Sequence, residues 1–147
     1  ALSEASMPAW RQGVAVGGLG AAHVWVVHGD GGLDEISLSG PTRVVEAKAG
    51  ALRAFTVVPE DAGLARASLD AIRGGDADAN AAAIRAMLGG APSPFRDVAI
   101  LNAAAALIVA DRAADLTEGA KLAAGAIDSG AAAQALARLV AISNEAA

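Results

Sequence analysis

Residues 24–35, V-W-V-V-H-G-D-G-G-L-D-E, leave the backbone fewer choices than any other stretch of this chain. Val24, Trp25, Val26 and Val27 form an unbroken run of β-branched and aromatic residues, the pattern of a strand covered on both faces. His28 and Gly29 end the run, and the three glycines at 29, 31 and 32 allow a tight turn or a positive φ without a Cβ penalty. The turn delivers two adjacent carboxylates, Asp34 and Glu35, beside the end of the strand. In open α/β sheets ligands bind outside the carboxyl ends of strands. There Mg²⁺ is commonly held by one or two carboxylates together with substrate phosphate oxygens. Spacing alone leaves two readings open, a metal-binding pair and a solvated polar turn. His28 lies close enough in sequence to be a ligand or a base, although a histidine at a strand end is more often hydrogen-bonded structure. His23 is assigned no role.

Downstream, Ile36 and Leu38 alternate with serines, and Gly40-Pro41 marks a turn. Thr42–Ala47 and Leu52–Val58 read as strands joined by a hairpin turn at Lys48–Gly50, with the alternation of antiparallel strands that have one wet face. The expected sheet is therefore mixed, with the apolar strand inside and a hairpin at one edge.

After Pro59 the pattern turns helical to the end. A short helix from Ser68 or Leu69 to Arg73 is expected to stop at Gly74-Gly75. Asp76-Ala77-Asp78-Ala79-Asn80 resembles the start of a calcium loop, but such a loop needs Gly at its sixth and Glu at its twelfth position, where this chain has Ala81 and Met87. These carboxylates read better as caps on a helix carrying Ile84, Met87 and Leu88 and ending at Gly89-Gly90. Ser93-Pro94 opens the next helix as N-cap and first residue. That helix is apolar nearly all round, which places it in the middle of the helical layer. Asn102 within it must find hydrogen-bond partners, and a role tying two elements together is expected. Thr117 is read as the cap of a helix reaching about Ala126. Asp128-Ser129-Gly130 breaks it, and the last helix is expected to bury Leu136, Leu139 and Val140 while Gln134 and Arg138 face water.

The chain has 147 residues, enough for one domain with a real core. Hydrophobic residues make up 54 % and aromatics only 3 %, so the core must be aliphatic and rich in alanine. The net charge of −5 argues against a nucleic-acid or anionic-membrane surface. Without cysteine there is no disulfide and no thiolate site. No signal-peptide pattern opens the chain, and its longest apolar run, Val98–Ala110, falls short of the ~20 residues that span a bilayer. A soluble cytoplasmic protein is expected. Residues 1–19 are read as an upstream segment without a clear assignment: Pro8 breaks any long helix, Trp10 is an apolar anchor, and the Gly17-Gly18-x-Gly20 run reads as loop rather than a dinucleotide fingerprint.

H-G-D-G-G-L-D-E at 28–35 and S-G-P-T at 39–42 resemble the second half of the anthranilate phosphoribosyltransferase family. The resemblance continues through P-E-D-A-G-L at 59–64, G-G-D-A-D-A-N-A at 74–81, R-D-V-A-I-L-N-A-A-A-A-L at 96–107 and A-I-D-S-G-A-A at 126–132. It implies that residues 20–147 are the C-terminal α/β portion of a glycosyl transferase domain, and that Asp34 and Glu35 bind the Mg²⁺ accompanying phosphoribosyl pyrophosphate. It further implies transfer of phosphoribosyl to the amine of anthranilate, in tryptophan biosynthesis, by a homodimer. The family's Gly-Thr-Gly-Gly-Asp phosphate loop, its Lys-His-Gly-Asn segment and the arginine that meets the anthranilate carboxylate are not found in this chain. The expectation is thus part of a longer enzyme, inactive by itself. Two other classes are a pyrimidine nucleoside phosphorylase, from which S-G-P-T and I-D-S-G point away, and a non-catalytic binding or assembly module.

Overall fold

A computed structural model describes residues 18 and 20–145; Pro8, Trp10 and most of the glycine-rich 16–20 stretch lie outside the described residues. Three strands form one sheet in the order β1-β2-β3: β1 His23–His28, β2 Thr42–Lys48 and β3 Ala51–Val57. Both pairings are antiparallel, with Val27 opposite Val44, and Val44 opposite Phe55. The expected hairpin is present, turning through Ala49 and Gly50, both in the left-handed region. Trp25, Val27, Val44, Phe55 and Val57 share the face that packs on the helices.

Two expectations about the sheet need correction. The sheet seen among the described residues is wholly antiparallel, not mixed, and β1 lies at its edge with residues 23–27 only half-buried. The strand buried on both faces is β2, where neighbouring Val44 and Val45 are each almost fully covered. An apolar run records that both faces of a strand avoid water. It carries no information on which segments lie beside it.

Four helices follow: α1 Ala77–Leu88, α2 Pro94–Val109, α3 Leu116–Asp128 and α4 Ala131–Ser143. Asp76 caps α1 by accepting from the Ala79 N–H at 2.9 Å, and Ser93 caps α2 by accepting from Arg96 N–H at 3.2 Å. The cap of α3 is Asp115, which accepts from Glu118 N–H at 2.8 Å, not Thr117. Thr117 already lies inside the helix and its hydroxyl donates to the Asp61 carbonyl at 3.0 Å. Residues 69–72 form a short 3₁₀ turn that ends at Arg73, with Gly74-Gly75 beyond it rather than capping it.

α2 sits between the sheet and α3, as its all-round apolarity requires, and supplies Ile100, Leu101, Ala104 and Ala105 to the core. Its contact with α3 is close: a methyl added at Gly119 would meet Ala104 Cα and carbonyl oxygen at 2.8 Å. α4 departs from expectation. It buries none of its side chains, and Leu139, Val140 and Ile142 are 63 %, 51 % and 66 % exposed. No helix among the described residues is long and apolar enough to cross a membrane.

Candidate functional site

The turn after β1 is fixed by its own backbone. Gly29 N–H donates to Leu33 O at 2.9 Å and Gly32 N–H to Gly29 O at 3.1 Å, with Gly31 and Gly32 at positive φ. Gly29 is buried, and a Cβ there would collide with the carbonyl oxygen of Glu35. Gly40 allows a second close approach, since a Cβ would lie 2.7 Å from the Asp30 carboxylate. Asp30 accepts from the Ser39 hydroxyl at 2.9 Å, Ser37 and Ser39 hydroxyls pair at 2.8 Å, and Ser37 N–H donates to Thr42 Oγ1 at 3.0 Å. The glycine turn at 29–32 and the S-G-P-T stretch at 39–42 are therefore halves of one polar knot.

Below this knot the chain is nailed to the helices. Ile36 and Leu38 are essentially inaccessible, and Asn102 on α2 grips the main chain at Ile36. The alternation of apolar residues with serines thus marks a buried loop rather than a strand. Asp34 and Glu35, immediately before the anchor, are exposed and make no hydrogen bond or ion pair with other described residues.

That arrangement suits a divalent cation in part. Two carboxylates without a partner among the described residues, on a rigid support, can fill some of the oxygen positions around Mg²⁺, the rest coming from water and a phosphorylated substrate. Among the described residues no third side chain joins them to complete a ligand set. The His28 side chain is exposed and forms no hydrogen bond with the described residues. It lines a hollow of about 490 Å³ with Gly29–Gly32, Pro41, Arg43 and Thr56, to which neither Asp34 nor Glu35 contributes.

A second polar cluster lies at the other end of β1 and was not legible beforehand. Glu46 accepts from Trp25 Nε1 at 2.8 Å and from Arg53 at 3.0 Å, and pairs with His23 Nε2 at 2.9 Å. Burial opposes the ionisation of Glu46, but these partners outweigh it and hold the carboxyl below its usual range. The side chain of His23 is almost wholly buried, and its Nδ1 has no hydrogen-bond partner among the described residues, with Asp111 3.9 Å away. Asp111, in the left-handed region just after α2, is bound by Lys48 at 2.6 Å, which lowers its pKa. These groups border a cavity of about 780 Å³ between the sheet and the α2–α3 junction.

The sheet, the glycine turn and the helices packed on them make up an α/β unit. Residues 12–133 match the family described as "Glycosyl transferase family, a/b domain", and the chain belongs to that family. Within it the similarity is to anthranilate phosphoribosyltransferases. The chain is 62 % identical over 125 residues to the enzyme of that name from Rhodopseudomonas palustris (strain HaA2), which is 85 % of this chain but 37 % of the relative. It superposes on the anthranilate phosphoribosyltransferase of Thermus thermophilus with a TM-score of 0.82 and 38 % identity, covering 95 % of this chain and 40 % of that one. The Saccharomyces cerevisiae enzyme in complex with PRPP and Mg gives 0.71 and 27 % identity over 76 % of this chain and 32 % of that one. The chain thus spans about two-fifths of the length of the proteins it matches.

Proposed function

We propose that residues 20–147 are the C-terminal α/β portion of an anthranilate phosphoribosyltransferase, with 1–19 an upstream segment, and that Asp34 and Glu35 hold Mg²⁺ for phosphoribosyl pyrophosphate. What carries the reading is a pair of carboxylates with no partner among the described residues, on a knotted, helix-anchored turn in a chain so similar to enzymes of that name. The bound Saccharomyces cerevisiae enzyme supports the choice of Mg and PRPP.

The reaction forms a bond from the anthranilate nitrogen to the anomeric carbon while the bond from that carbon to pyrophosphate breaks; the nitrogen then loses a proton. Charge builds on the departing pyrophosphate and, with opposite sign, on the sugar. Magnesium supplies neutralisation of the pyrophosphate charge. This chain's part is to keep two carboxylates in place without reorganisation as that charge develops, which is where preorganised electrostatics is worth most. On the same reading the enzyme works in the cytoplasm as a homodimer on small molecules, and the net charge of −5 agrees with the absence of a nucleic-acid partner.

The test joins this chain behind the upstream part of a full-length relative and compares it with Asp34→Ala plus Glu35→Ala. A loss of about 10²-fold or more in phosphoribosyl transfer, with a changed magnesium dependence, is expected from removal of charge stabilisation at a reacting centre. Unchanged catalysis and unchanged magnesium dependence would overturn the proposal. The 147-residue chain alone is expected to show no turnover in a steady-state assay.

A further inference from the structure

Asn102 does more than satisfy itself. Its Oδ1 accepts from Ile36 N–H at 2.9 Å, and its Nδ2 donates to Ile36 O at 3.0 Å and to Val98 O at 3.0 Å. Gripping both the donor and the acceptor of one residue fixes direction as well as distance. The N–H it holds belongs to the peptide unit joining Glu35 to Ile36. On the other side, the missing side chain of Gly29 lets the Glu35 carbonyl press against the turn. Ile36 is already anchored by a side chain only 1 % exposed, so attachment of the loop does not require the amide. What the amide adds is the orientation of the peptide plane that starts at the Cα of Glu35, from which the Glu35 carboxylate branches, with Asp34 one peptide unit before it.

We infer that Asn102 is a positioning residue for the Asp34–Glu35 metal pair, an inference that rests on the Mg²⁺ reading above. Partners that orient metal ligands typically contribute about 10–100-fold in metal affinity. The 147-residue chain is titrated with Mn²⁺ as the probe, following paramagnetic broadening of the amide signals of residues 34–36, alongside thermal melting. Asn102→Ala is expected to raise the Mn²⁺ midpoint about tenfold. Asn102→Asp, which keeps an acceptor for Ile36 N–H, should fall between it and the parent. Ala105→Gly, a buried change on the same helix away from Ile36, should lower the melting temperature and leave the midpoint unchanged. In the joined enzyme the half-saturating magnesium concentration should move with the Mn²⁺ midpoint while KM for anthranilate stays put. If Asn102→Ala shifts the midpoint no more than Ala105→Gly does, the positioning role is overturned. If Asn102→Ala does not fold, the same comparison with Asn102→Asp decides. Asp34→Ala plus Glu35→Ala separates the two levels: broadening that survives it overturns the metal reading itself, whereas broadening that it abolishes leaves only the Asn102 role at stake.

Discussion

Glu46 draws on three side chains from two neighbouring strands, and its lowered pKa makes it a pH-dependent support of the sheet. A carboxyl whose folded-state pKa is depressed contributes stability that is fully present above its ordinary value near ~4.3 and is lost as pH falls through the folded value. Melting temperature should therefore drop as pH falls below about 4.5. Glu46→Gln should cost about 1–2 kcal/mol near neutrality, by loss of charge-assisted bonds to Trp25 and Arg53, and should flatten the acid slope. An acid slope unaltered by Glu46→Gln would mean that Glu60, Asp111 and Asp128, whose carboxyls are lowered by Arg66, Lys48 and Arg96, account for it instead. None of this cluster was readable in advance. His23 and Trp25 lie on one strand with a single residue between them, but Glu46 meets them only through the β1–β2 register. Asn102 was different, because a polar residue in an apolar helix announces a partner even when the partner is unknown.

Elements with local signals were legible, and those defined by absent neighbours were not. The hairpin, the Asp76 and Ser93 caps and the Gly89-Gly90 stop can be read directly because turn and cap chemistry acts within four residues. Ile36–Leu38 has strand-like alternation yet forms a buried loop, because the polar knot at Ser37, Ser39 and Thr42 satisfies backbone groups that a strand would pair. Thr117 lost the cap to Asp115 since Glu118 reaches back to Ala114 N–H at 2.7 Å, completing a reciprocal start two residues earlier. At this scale the glycine turn makes a sharp prediction. Gly29→Ala must displace either Glu35 or the turn, at a cost of about 1–3 kcal/mol in chemical denaturation. Hydrogen exchange at Ile36 should accelerate in the same variant, and an unchanged rate would show that the turn yields without moving the loop.

For the molecule as a whole, α4 and the groove beside it stand out. Leu139, Val140 and Ile142 face solvent, and an apolar groove of about 830 Å³ runs past Met87, Leu107 and Leu122 between the helices. Exposed apolar patches of this kind mark interfaces or association. The isolated chain is expected to self-associate and bind hydrophobic dye in sedimentation and fluorescence measurements, and Leu139→Lys plus Ile142→Lys should shift it toward monomer. A dye-silent monomer of the parent chain would count against this. The periodicity of α4 correctly marks an apolar stripe; it could not reveal that nothing among the described residues lies on it. The contact of α2 with α3 constrains the molecule differently. What blocks a methyl at 119 is the main chain of Ala104 as much as its side chain. Shrinking residue 104 therefore cannot act as a suppressor of Gly119→Ala, and a search through all amino acids at 104 should return no rescue of melting temperature. The tolerance of the pair runs one way, leaving position 119 with a single acceptable residue as long as these helices keep their spacing.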